Sequence, residues 1–181
     1  MAVDRVEALL RRVGEALDGA GIPYGVAGGN AVAAWVATVD EGAVRATKDV
    51  DVLVRRADLA GVAAALQPVG LIPVDVLGVT IFVDQQRPNP RTGVHIIPAK
   101  ELIRAHYAHP APDVTEVVRA AGGFAVIDLA ALVTMKLQAF RDIDRVHIRD
   151  LLSVNLIDAG LIGKLPADLR GRLKEIQDAR E

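Results

Sequence analysis

The sequence predicts an α/β (α+β) protein, a mixed sheet flanked by helices and followed by a C-terminal segment built of helices alone. Up to residue 127, short Val- and Ile-rich runs bounded by Gly, Pro and Asp alternate with stretches whose apolar residues recur every three to four positions. From Leu129 onward only the helical spacing persists. A third observation marks the centre of the first part. Between Ala27 and Val54 a Gly28-Gly29-Asn30 turn precedes an Asp-x-Asp pair, Asp49 and Asp51, set against the apolar run Val50 to Val54.

Taken in order, Val6, Leu9, Leu10, Val13, Ala16 and Leu17, with Val3 before them, form the stripe of an amphipathic helix stopped by Gly19 and Gly21. Ile22 to Ala27 reads as a buried strand, Asn30 to Val39 as a short apolar helix, Asp40 to Lys48 as a loop and Asp49 to Val54 as a strand. Asp58 is the expected N-cap of a helix to Gln67. Leu71–Val76 and Val79–Asp84 form a hairpin around Leu77-Gly78, and Gln85–Thr92 is a loop. Gly93–Ile97 is a strand and Ala99–His106 a short helix. Strands around Val114–Val118 and Phe124–Ile127 follow the break at Pro110 and Pro112. Asp128 caps a helix reaching about Arg141, and further helices are expected over Asp144–Ile157 and Pro166–Ala179.

The 181 residues suit one α/β domain over 1–127 with a helical segment, 128–181, packed on it. A formal net charge of −2 gives no global basic footprint for nucleic acid. One Trp, two Tyr and three Phe make a poor stacking platform for single strands. The absence of cysteine excludes disulfides and zinc thiolate sites. With no signal-peptide core near residues 1–12 and no apolar run of roughly 18 residues, a cytoplasmic protein is expected.

On a strand, residues two apart face the same way, so Asp49 and Asp51 project together while Val50 and Val52 point to the other side. Two carboxylates on one face repel unless a cation lies between them. Oxygen ligands on a rigid strand suit Mg²⁺, with Mn²⁺ as the alternative. The Gly-Gly turn opening a helix offers backbone N–H groups to a phosphate. A phosphate cradle and a metal clamp therefore fall within one stretch. Taken singly, each signal has a bland counterpart: an Asp-x-Asp at a strand edge, a glycine pair that is only a turn, or Arg45 and Lys48 offsetting local negative charge. The cluster of Asp142, Asp144, Arg145, Arg149 and Asp150 reads most simply as a salt-bridged helix face. No Walker A motif, Rossmann fingerprint or serine nucleophile elbow is present.

Gly-Gly-Asn-Ala followed by Arg45-x-Thr47-x-Asp49-x-Asp51, and the later Lys136-Leu137-Gln138-Ala139-Phe140-Arg141-Asp142, resemble the nucleotidyltransferase superfamily of polymerase-beta-like proteins, in its minimal or AbiEii-like branch. The resemblance implies a nucleotidyltransferase-like sheet and transfer of a nucleoside monophosphate from an NTP to an acceptor. That acceptor is an RNA end, a protein hydroxyl or a small molecule, and a cognate toxin or antitoxin is an implied protein partner. It assigns nucleotide binding to Gly28, Gly29, Asn30, Thr47, Lys48 and Arg141, and catalysis to Asp49, Asp51 and Lys136. Asp49 and Asp51 hold the metal. Where the family carries a third acid this chain has His95, a candidate third ligand, and Asp75 or Asp84 could take that place. The alternative reading is a catalytically impaired module that binds nucleotide or a partner; a structural protein without ligand is the third.

Overall fold

A computed structural model describes residues 2–179, with side chains from Arg5 onward, so the side chain of Val3 lies outside the described residues. The strands are β1 (Gly25–Ala27), β2 (Val50–Val54), β3 (Leu71–Val76), β4 (Val79–Asp84), β5 (Val94–Pro98), β6 (Val117–Arg119) and β7 (Ala125–Ile127). The helices are α1 (Ala2–Gly19), α2 (Gly28–Ala37), α3 (Leu59–Leu66), α4 (Leu129–Ala139), α5 (Asp142–Ser153), α6 (Ala159–Lys164) and α7 (Arg170–Asp178). The strands form one mixed sheet in the order β3–β4–β5–β2–β1–β7–β6.

Strand β2 is inside the sheet because it can bury almost everything it carries. Val50, Val52, Leu53 and Val54 are fully buried, as the continuous apolar run requires of a strand covered on both faces. It runs antiparallel to β1, with Ala27 opposite Asp51, and parallel to β5, with Asp51 beside His95. This register, set by apolar neighbours, places the one acid within β2 between the end of β1 and a histidine.

Helix α1 buries Val6, Leu10, Val13 and Leu17 and exposes Arg5, Glu7, Arg11 and Glu15, as its periodicity predicts. It contacts β2 and α3, whereas α2 contacts β1, β2, α4 and α5. One apolar cluster extends from Val6 to Ile176. The hairpin turn is as expected: Leu77 (φ 54°) and Gly78 (φ 80°) are both left-handed, as two-residue loops between twisted strands require. Asp128 caps α4 by accepting hydrogen bonds from the N–H groups of Ala130 and Ala131. Among the described residues no helix is long and apolar enough to cross a membrane.

Four expectations are corrected. Residues 99–106 form no helix: Lys100 is left-handed (φ 62°), and the N–H groups of Lys100 and Ala111 are satisfied by the distant carbonyls of Ala111 and Glu101. Asp58 is at the N-cap of α3, and Gln67 at its C-cap, as expected, but the Asp58 side chain makes no capping bond; a short 3₁₀ turn, Arg56–Asp58, leads into the helix. The helix expected over 144–157 begins at Asp142, where the Asp144 carboxylate accepts from the Arg141 backbone N–H, and ends at Ser153. The helix expected from Pro166 is a 3₁₀ turn, Ala167–Leu169, followed by α7, and α6 was not anticipated.

Candidate active site

Strand β1 passes directly into α2 through Gly28, whose φ of +62° is the left-handed conformation glycine adopts readily. A Cβ at Gly28 would run into the Asp51 carboxylate, and one at Gly29 would lie 2.7 Å from Thr47 Cγ2. The glycines are thus what lets the turn approach the acidic strand. The N-cap of α2 is Ala27, which offers no side-chain acceptor. The first N–H groups of the helix, which have no intrahelical partner, are left to a ligand such as a phosphate.

Asp49 lies at a bend just before β2 rather than within it, yet its carboxylate converges with that of Asp51. His95 Nδ1 is 3.7 Å from Asp49 Oδ2 and 3.8 Å from Asp51 Oδ1. One ligand atom from each of the three lies within 4.8 Å of the others. Neither carboxylate takes a lysine or arginine partner among the described residues. Burial, and then the neighbouring Asp49, push the Asp51 carboxyl above its ordinary range, partly offset by His95, Lys136 and Arg141. Two converging carboxylates without a paired cation, joined by an imidazole nitrogen, make a donor set that fits a divalent ion.

Asn30 and Thr47 hold this arrangement together. Asn30 is buried; its side-chain amide donates to the Asp49 carbonyl (2.6 Å) and its side-chain oxygen accepts from the Thr47 hydroxyl (2.6 Å). Both residues expected to touch nucleotide thus tie the glycine turn to the acidic segment.

A cavity of about 420 Å³ opens beside Gly28, Asp51 and His95, and Lys136, Arg141 and Asp144 line it. Lys136 is on the buried face of α4, not in solvent, and its ammonium bonds Asp144 (3.0 Å). Arg141 donates to the same carboxylate through Nε (2.7 Å). Asp144, almost completely buried and not just part of a surface cluster, keeps its carboxyl below the ordinary range through these two cations, against the cost of burial. The loop 99–112 walls the cavity because Gln138 on α4 exchanges two hydrogen bonds, each 2.7 Å, with the His109 backbone.

Other candidates are not brought here. Arg45 forms a two-pronged pair with Asp150 (2.9 and 3.0 Å). Lys48 and Asp84 line a separate cavity with Arg12 and Arg87, and Asp84 caps the loop after β4. Asp75 accepts from the Gly78 N–H inside the hairpin turn. Neither Asp75 nor Asp84 belongs to the convergent group, which His95 completes.

His147, a histidine to which the sequence assigns no role, is buried beside the site. It shares the inner face of α5 with Asp144, Ile148 and Leu151, a spacing that could have flagged it. Its ring lies about one van der Waals contact from Gly29: a Cβ there would meet His147 Cε1 at 3.5 Å. Burial, and then Lys136, push its pKa from 6.5 down to about 4. Between these values the unfolded chain binds a proton that the folded protein refuses. Stability is therefore fully present above about pH 6.5 and falls as the pH drops to about 4, by up to about 3 kcal/mol. Urea unfolding of wild type and His147→Gln across that range should show this component vanishing in the variant.

Sheet order, glycine turn and acid pair define a nucleotidyltransferase-like fold. The antibiotic-resistance factor ANT(2'')-Ia superposes on the chain with a TM-score of 0.64 at 17% identity, over 99% of this chain and 98% of that one. A second structure of ANT(2'')-Ia, in complex with adenylyl-2''-tobramycin, gives 0.55 at 14% identity over 97% and 98%. An antigenic nucleotidyltransferase-like protein from Paracoccidioides brasiliensis gives 0.58 at 15% identity, over 99% of this chain and 90% of that one. No protein-family model matches the chain, and no curated protein sequence matches it. At these identities the likeness is one of fold.

Proposed function

We propose that the protein is a metal-dependent nucleotidyltransferase that moves a nucleoside monophosphate from an NTP to an acceptor hydroxyl, breaking the bond between the α- and β-phosphates and releasing pyrophosphate. The observation that carries this reading is the convergence of Asp49, Asp51 and His95 beside the uncapped start of α2. Asp49 and Asp51, with His95, would hold the metal. Bound there, a divalent ion supplies charge neutralisation for the triphosphate and lowers the pKa of the attacking hydroxyl. Gly28, Gly29 and the first N–H groups of α2 receive phosphate oxygens. Asn30 and Thr47 keep the acidic segment against that turn. Lys136 and Arg141, oriented by Asp144, add positive charge at the cavity wall.

ANT(2'')-Ia has been captured with an adenylylated aminoglycoside. In this chain the cavity carboxylates outside the metal group are paired: Glu101 with Arg56 (2.7 Å) and Asp144 with Lys136 and Arg141. A polycationic acceptor would find no unpaired carboxylate there, so a neutral or anionic acceptor fits better. The AbiEii-like branch, with a cognate toxin or antitoxin as partner, is part of this reading and rests on the residue resemblance.

Incubation of the full chain with each α-³²P-labelled NTP and Mg²⁺ or Mn²⁺, alongside fractionated RNA, protein and small-molecule acceptors, tests the proposal. Label moving into one fraction with release of pyrophosphate is the expected result. Nucleotide binding without transfer would favour the second reading, a non-catalytic module, to which His95 in an acid's place points. A flat titration with all four NTPs would overturn both.

A further inference from the structure

Resting on that function, we infer that His95 sets the identity of the metal, turning the site from Mg²⁺ toward a first-row transition ion of the Mn²⁺ and Co²⁺ class. The geometry fixes which imidazole nitrogen faces the acids. His95 Nε2 lies 2.8 Å from the Pro90 carbonyl oxygen. A carbonyl only accepts, so Nε2 carries the proton, and in the neutral ring Nδ1 presents its lone pair. That nitrogen is the atom 3.7 Å from Asp49 Oδ2 and 3.8 Å from Asp51 Oδ1.

The orienting carbonyl is itself anchored. Pro90 begins a 3₁₀ turn, Pro90–Thr92, capped by Asn89, whose side chain accepts from the Arg91 N–H (3.0 Å) and whose carbonyl accepts from the Thr92 N–H (3.1 Å). An imidazole whose far nitrogen donates to a fixed carbonyl is the usual support of a metal-ligating histidine. The pairing of β2 with β5 puts the ring beside Asp51. The resulting donor set is two oxygens and one nitrogen. Mg²⁺ favours oxygen ligands alone, whereas imidazole favours transition ions.

The test uses the metal-free full chain without nucleotide, titrated calorimetrically with Mg²⁺, Mn²⁺ and Co²⁺, together with visible absorption of the Co²⁺ form. Manganese binds most oxygen sites somewhat better than magnesium, so His95→Asp supplies the reference. The expected result is a Co²⁺-over-Mg²⁺ preference at least about tenfold larger in wild type than in H95D, with a change in the Co²⁺ ligand-field bands. His95→Asn, a neutral oxygen donor, should lower the preference in the same direction. Imidazole ¹⁵N spectra should show the Nε2–H tautomer, with the Nδ1 resonance of His95 lost on adding Mn²⁺. Equal preference in wild type and folded H95D or H95N overturns the inference while leaving the transferase reading intact. Failure of all three ions to bind, with or without a non-hydrolysable NTP, overturns both.

Discussion

Asp51→Asn should abolish nucleotidyl transfer while making the metal-free protein more stable. Loss of a carboxylate from the metal group should lower turnover by about 10²–10³-fold, the scale on which removing one charge-stabilising group acts. The stability gain has a separate origin. Burial and the adjacent Asp49 raise the Asp51 carboxyl above its ordinary range, so its ionised form destabilises the fold at neutral pH. The Asp51 contribution to the stability of the apo protein should therefore rise as the pH falls through the raised folded value, opposite in sign to that of His147, and the asparagine variant should lack that component. In EDTA at neutral pH the variant should melt higher than wild type. Most substitutions of half-buried residues destabilise. A variant that loses both transfer and stability would show the carboxylate to be a structural partner, not a ligand awaiting its cation.

Asp144→Ala should be the most damaging single change away from the glycine turn. Asp144 is 1% exposed and accepts from Lys136 Nζ, Arg141 Nε, Arg141 Nη2 and the Arg141 backbone N–H. Removing it strands the Lys136 ammonium, itself only 6% exposed, and dismantles the N-terminal cap of α5. Breaking a buried pair by deleting one partner costs about 3–5 kcal/mol, because the remaining charge stays desolvated. Urea unfolding should show a loss of that size. Adding Lys136→Met to Asp144→Ala should recover much of it, since the stranded charge is then gone. If the double variant is as unstable as the single one, Lys136 is not the source of the cost.

The second result bears on what sequence can show about a lysine. Lys136 follows Leu132 and Val133 on the α4 stripe, and the charged residue reads as either exposed or ligand-facing. Its burial became legible only once α5 placed Asp144 against it, because a lysine enters a core when a carboxylate is there to meet it. The loop 99–112 teaches a similar lesson. Its apolar residues suggest a helix, but the backbone groups find partners ten or more residues away, and no local pattern records that.

Local chemistry alone determined the hairpin at Leu77-Gly78, the Asp128 cap, the stripe of α1 and the glycine turn, whereas Asp49, at a bend outside β2, meets Asp51 where the distant Asn30 holds its carbonyl. Each of those local features depends on residues a few positions apart, where backbone sterics and side-chain periodicity decide the outcome. Strand order decided the rest. Only the pairing of β2 with β5 sets His95 beside Asp51, and only the sheet's extent separates Asp75 and Asp84 from that group. Pairing across tens of residues is chosen by which apolar faces can be buried together, a property of the whole chain that no single stretch contains.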